Sequence, residues 1–158
     1  QEETISPKEE ATRYTKRYRF WEQILPVLRV KTGIFNNVFP TKDNWLTGAS
    51  GHSGVVFNPV ILMNGARAEL YIDTGDDQRN MSIFGELKSK ESDIATAFPG
   101  DLIWQDLPGK RACRISVQYH DYGLNDEEHW SDIADFLGDK ISALIKVFKP
   151  LLGTIMKG

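Results

Sequence analysis

Asp73 is followed thirteen residues later by Glu86-Leu87-Lys88, which matches a loose D…(D/E)-x-K pattern. In metal-dependent nucleases, two carboxylates of that pattern hold a divalent cation while the lysine orients or activates the attacking water. The chemistry needs acid and amine on one face. A strand supplies this at alternate positions, whereas on a helix residues two apart point about 200° apart. Phe84, Leu87, Ile94 and Phe98 recur at helical spacing through this stretch, so Glu86 and Lys88 are expected on a helix, aimed apart. A divergent metal-dependent nuclease built on Asp73, Glu86 and Lys88 is therefore the alternative reading. No catalytic residue, metal ligand or cofactor is assigned.

Other chemistry-bearing residues form no stronger pattern. His52, His120 and His129 lack the H-x-x-x-H or H-E-x-x-H spacing of a helical metal site. A cluster of His120, Asp121 and His129 is only a weak pairing of neighbours. Cys113 is the single cysteine and falls at an inward position of a strand, so a buried, inert thiol is expected and an internal disulfide is impossible. Ser50-Gly51-His52-Ser53-Gly54 has neither the Gly-Lys-Ser/Thr of a phosphate loop nor the G-x-S-x-G of a nucleophile elbow, and reads as a loop.

Charge is distributed unevenly. The 158 residues carry a formal net charge of −3, which argues against a generic nucleic-acid coat. From Arg13 to Lys31, however, six cations stand against the single acid Glu22, and from Asp121 to Asp139 seven acids stand with no lysine or arginine. One reading is solvated helix faces that partly neutralise each other; a basic patch for phosphate, including Arg17, is the sharper reading. The rings of Arg13 to Trp21 are expected on the buried stripe, leaving the cations outward.

The elements that position these residues follow from periodicity. Residues 1–12 are polar, lack an initiating Met and read as a linker, which suggests a piece of something longer. Tyr14, Tyr18, Trp21, Leu25 and Leu28 fall on one stripe of a helix starting near Arg13, with Pro26 expected to kink it or end its regular part. A long connection over residues 33–53 packs down through its aromatic residues. Val55–Met63 and Ala66–Asp73 form a hairpin across Asn64-Gly65, a pair suited to a type I′ turn, with Pro59 placing the first strand at an edge or bulge.

A second helix ends at Pro99-Gly100. Leu102–Leu107 and Arg111–Tyr119 make a second hairpin across Pro108-Gly109-Lys110. A third helix, capped by Asn125 or Asp126, carries Trp130, Ile133, Leu137, Ile141, Leu144, Ile145 and Phe148 to Pro150, leaving 151–158 as a tail. With 41% hydrophobic and 26% charged residues, the chain is expected to fold as one domain over 13–150. The order of elements predicts an α+β fold: a mostly antiparallel sheet of four to five strands with three helices packed chiefly on one face. No apolar run is long enough to span a membrane, and the start is not a signal peptide, so a cytoplasmic location is expected.

The uncovered sheet face is then a polar row of Arg67, Glu69, Tyr71, Asp73, Arg114, Ser116, Gln118 and His120. Arg67, Glu69, Tyr71, Arg114, Gln118, His120 and Arg17 are the candidate binding residues.

Landmarks along the chain carry a family resemblance. They are Arg19-Phe20-Trp21, Trp45-Leu46-Thr47-Gly48, Ala68-Glu69-Leu70-Tyr71-Ile72-Asp73, Phe84-Gly85-Glu86-Leu87-Lys88, Leu102-Ile103-Trp104-Gln105-Asp106-Leu107, Arg114-Ile115 and Trp130. In this order, from about Tyr18 to Phe148, the chain resembles a prokaryotic family of unknown function often found behind a restriction-endonuclease-like, PD-(D/E)XK, nuclease module. Ala95 departs from the acidic residue frequent there. The resemblance implies a non-catalytic accessory domain in a nuclease or defence setting, with no catalytic residues to carry over. The leading expectation is a recognition or assembly domain contacting nucleic acid or a protein partner; homodimerisation through the first helix or an edge strand is a further alternative.

Overall fold

The structure, a computed structural model, describes residues 5–107 and 112–157. Its elements are α1 (Pro7–Thr32), β1 (Gly48–His52), β2 (Val55–Leu62), β3 (Gly65–Ile72), α2 (Asp77–Lys88), α3 (Glu91–Ala97), β4 (Ile103–Leu107), β5 (Ala112–Tyr119), a 3-10 turn (Glu127–His129) and α4 (Trp130–Ile155). The five strands form one antiparallel sheet in the order β1-β2-β3-β5-β4. The α+β expectation holds, with four helices rather than three. The extra one arises because the expected second helix breaks at Ser89-Lys90 into α2 and α3. The turn expected at Pro108-Gly109-Lys110 lies outside the described residues.

Helix α1 begins six residues earlier than the apolar stripe implies. Its start is set by polar chemistry instead. Ser6 accepts from the Glu9 amide at 3.1 Å, Glu9 reaches back to the Ser6 amide, and Pro7 occupies a first-turn position where no donor is needed. Pro26 neither ends nor interrupts the assigned helix, which runs on to a left-handed cap at Gly33 (φ 74°).

The buried stripe is Phe20, Trp21, Ile24, Leu25 and Leu28; Tyr18 is 47% exposed and Tyr14 half-buried, so the expected ring positions are corrected. These core residues are covered within the chain itself. Phe20 lies edge-on to both Trp21 and Trp130, and the two indoles donate to the Asp43 and Leu124 carbonyls, so each buried N–H has a partner.

Helix α4 lies across β2 and β3, and α1 lies along α4. The expected cap at Asn125 or Asp126 is not made. Asp126 instead accepts from the Gly123 amide at 2.9 Å, and α4 starts at Trp130 without a side-chain cap. Pro150 does not stop α4. The last turn, expected as tail, continues to Ile155, with Leu152 fully buried against the core.

The first hairpin also differs in detail. Leu62 pairs with Gly65, so Met63 and Asn64 make the turn, and neither Asn64 nor Gly65 has a positive φ. Gly65 is required by packing: a Cβ there would stand 2.7 Å from the Tyr119 carbonyl oxygen, and one on Gly123 would collide with the backbone of Asn64 and Gly65. The β2 strand lies inside the sheet rather than at its edge. Pro59 is tolerated because its missing N–H faces the same side as its carbonyl. That side meets the 45–47 segment, where the Leu46 amide donates to the Pro59 oxygen at 3.1 Å, so the β2–β3 ladder loses nothing.

Candidate binding recess on the open sheet face

Alternation along β3 and β5 sends Ala66, Ala68, Leu70, Ile72, Cys113, Ile115 and Val117 into the core and turns Arg67, Glu69, Tyr71, Arg114, Ser116 and Gln118 to the opposite face. Register sets these outward residues in rows. Val60, Arg67 and Gln118 form one; Asn58, Glu69 and Ser116 the next; Val56, Tyr71 and Arg114 the third. A short extension of β1 closes one side: Trp45 bridges Val60, and the Ile61 amide donates to the Asn44 carbonyl at 2.8 Å. The result is a recess of about 420 Å³ whose lining includes Trp45, Thr47, Asn58, Arg67, Glu69, Tyr71 and Arg114. That lies within the range of small-ligand clefts, about 300–1,000 Å³.

Charge on this face is organised rather than merely solvated. Glu69 is 3% exposed. Its Oε1 accepts from Arg67 Nε at 2.8 Å and lies 3.6 Å from Arg114 Nη1, while Oε2 accepts from Asn58 Nδ2 at 3.2 Å. Arg114 Nε donates to Gln105 Oε1 at 3.0 Å. Two guanidiniums therefore converge on one buried carboxylate. Burial, then the neighbouring Arg67 charge, pull the Arg114 guanidinium down from its ordinary value, against the attraction of Glu69 and Tyr71. Burial, then the charges of Asp73 and Glu69, push the Tyr71 hydroxyl up, with Arg114 opposing.

Not every polar atom of the recess is satisfied. Asn58 is 5% exposed and its Oδ1 has no hydrogen-bond partner among the described residues. An unpaired buried acceptor costs about 1–3 kcal/mol. Neither do the terminal nitrogens of Arg67 make a hydrogen bond among those residues. The recess thus offers cationic donors, one orphan acceptor and, in Trp45 at 45% exposure, an aromatic rim.

Of the expected binding residues, Arg67, Glu69, Tyr71 and Arg114 come together here. Gln118 shares the row of Val60 and Arg67 but is not among the lining residues, and it donates to Ser116 Oγ at 3.0 Å. His120 is exposed beyond the end of β5, and Arg17 is on α1, its Nη1 3.5 Å from the Lys42 carbonyl. Three of the other cations of α1 are engaged inside the molecule. Arg19 pairs with Glu127, Lys31 with Asp139 at 2.7 Å and Asp135 at 3.8 Å, and Arg29 donates to the Phe35 and Val38 carbonyls. The basic and acidic segments of the sequence thus meet at two cations, Arg19 on Glu127 of the 3-10 turn and Lys31 on Asp135 and Asp139 of α4.

Sequence reasoning missed Trp45, Asn58 and Gln105. Trp45 was expected to pack inward with its loop, yet Phe35 and Leu46 are buried while Trp45 and Phe39 face out. Asn58 carried a visible signal as the one polar side chain in Val55-Val56-Phe57-Asn58-Pro59-Val60-Ile61-Leu62.

The other chemistry-bearing residues make contacts of their own within the fold. Glu86 and Lys88 both lie on α2, where Lys88 pairs with Glu91 at 3.4 Å and sits 5.0 Å from the Trp104 ring centroid. Asp73 accepts from the Gly75 amide at 3.1 Å. No group of three or more His, Cys, Asp or Glu residues able to hold a metal ion occurs among the described residues. His129 stacks on Tyr122 with centroids 3.6 Å apart and meets Asp132 at 3.0 Å. Cys113 is 1% exposed; its thiol lies 3.8 Å from Met81 Sδ, and burial pushes its pKa up. Among the described residues, no helix is long and apolar enough to cross a membrane.

Searches of the curated proteins and of the solved structures find no match to the chain. The profile of one protein family, described as a domain of unknown function (DUF4268), matches residues 16–152, which takes in every element from within α1 to near the end of α4, together with the whole recess. The chain therefore belongs to the DUF4268 family.

Proposed function

We propose that this domain is a non-catalytic recognition module that binds a nucleic-acid strand on its open sheet face. The observation that carries the reading is the convergence of Arg67 and Arg114 on the single buried carboxylate of Glu69, beside an exposed Trp45. Among the lining residues one carboxylate faces two guanidiniums, an excess of one positive charge within the lining, and the terminal nitrogens of Arg67 make no hydrogen bond among the described residues. Guanidinium is suited to phosphate and base edges through its fork of N–H groups, and an adjacent indole gives a base a surface to stack on. The resemblance to nuclease-associated domains supports an accessory role beside a nuclease module in the prokaryotic cytoplasm.

A fluorescence-anisotropy titration of a labelled single strand of about ten nucleotides, a length within the span of known single-strand sites, tests this. Binding at low ionic strength is expected to weaken steadily with added salt, and Arg114→Glu to reduce affinity at least about tenfold. Absence of binding at low salt, or full affinity in Arg114→Glu, would overturn the proposal.

A further inference from the structure

We infer that the recess accepts one unstacked nucleobase, so that the domain reads single-stranded or locally opened nucleic acid rather than an intact duplex. The inference rests on the strand-binding reading above and adds what enters the site. Phosphate alone would satisfy the surplus guanidinium charge but not the rest of the recess. Asn58 Oδ1 is an acceptor and needs a donor, which a phosphate diester lacks and every nucleobase edge except a fully substituted one supplies beside an acceptor of its own. Asn58 cannot turn its amide over to solve the problem, because Nδ2 is held by Glu69 Oε2 and an amide oxygen in that position would face a carboxylate.

The complementary acceptors of a base would meet the Arg67 terminal nitrogens, which make no hydrogen bond among the described residues. Trp45 stands at the rim with nearly half its surface exposed, where its ring can cover an inserted base. Oδ1 is itself closed to solvent. Trp45 and Thr47 line the recess together with Asn58, both are exposed, and neither makes a side-chain hydrogen bond among the described residues, so these two side chains are free to yield. An intact duplex presents no such base, because its bases are stacked and paired.

The test compares three labelled probes of equal length, about ten nucleotides: a single strand, the same strand made abasic throughout, and its blunt duplex. Each is titrated against the wild-type chain and against Trp45→Ala, whose folding is checked by circular dichroism. The single strand is expected to bind at least about tenfold tighter than the abasic strand, to quench tryptophan emission, and to lose both the advantage and most of the quenching in Trp45→Ala. Equal affinity for the abasic strand would overturn the base recess while leaving strand binding intact. Tighter binding of the duplex would also overturn it. No binding of any probe at low salt would remove the strand-binding reading and this inference with it. Displacement of the strand by an acidic peptide as effectively as by unlabelled strand would instead assign the recess to a protein carboxylate.

Discussion

The seam between α1 and α4 and the open face of the sheet both join arginine or lysine to carboxylates, and they do opposite things with the charge. At the seam, Arg19 meets Glu127 and Lys31 meets Asp139 and Asp135, on side chains that are mostly a third to two-thirds exposed. Every charge there has water on one side, so each pair is cheap to form and cheap to lose. On the open face, Glu69 is almost wholly buried and both of its arginine partners are 19% exposed. Low exposure raises both the attraction and the desolvation cost, and the ratio of two cations to one acid leaves part of the cost unrecovered within the molecule. The strongest charge clusters in the sequence thus became exposed, screened pairs. A lone Glu-x-Tyr beside two separate arginines became a buried charge cluster.

Removing Glu69 is the harshest way to break this comparison. Glu69→Leu deprives Arg67, Arg114 and Asn58 of their shared acceptor and leaves two guanidiniums facing each other in a half-buried recess. Urea unfolding followed by circular dichroism is expected to show a stability loss of about 3 kcal/mol. A loss under about 1 kcal/mol would place the open face in the same class as an exposed seam pair.

A smaller effect comes from the phenol beside this network. Tyr71 is raised from its ordinary value of 10.0 chiefly by burial, with Asp73 and Glu69 adding to it. Because the folded value lies above the unfolded one, the folded state binds more protons in the interval between them. The stabilising contribution is complete below about pH 10 and is lost as pH rises through the folded pKa. Comparison of tyrosinate absorbance in the wild type and Tyr71→Phe is expected to show Tyr71 titrating above 10.0, and Tyr71→Phe to lose less stability across that interval. Titration of Tyr71 at or below 10.0 would mean that the recess does not exclude solvent from its hydroxyl.

Periodicity carried most of the fold. The alternation of β3 and β5 correctly separated Ala68, Leu70, Ile72, Ile115 and Val117 from Arg67, Glu69, Tyr71 and Arg114, because in a sheet with one covered face the sign of each position follows directly from the pleat. It failed where tertiary contact outweighs a local rule. Pro26 and Pro150 did not end their helices, in the second case because Leu152 anchors the last turn to the core. Gly65 was chosen by the approach of the Tyr119 carbonyl rather than by turn conformation. The site was legible only in its β3 and β5 half. Trp45 and Asn58 enter it through the pairing of the 44–47 segment with β2, a contact between an irregular stretch and a strand that no spacing announces.

The mildest way to sharpen the comparison is a double-mutant cycle on Arg19 and Glu127. Arg19→Ala alone removes two things, the ion pair and the guanidinium 5.5 Å from the Trp130 ring centroid, so its single cost overstates the pair. The cycle with Glu127→Ala cancels the ring contact, which is lost equally in both arms. Both side chains are close to half exposed, and the expected coupling is about 0.5 kcal/mol, falling further at high salt. A coupling above about 2 kcal/mol that survives high salt would show that the seam is as desolvated as the recess. Surplus charge, rather than burial, would then be the one property separating the two regions.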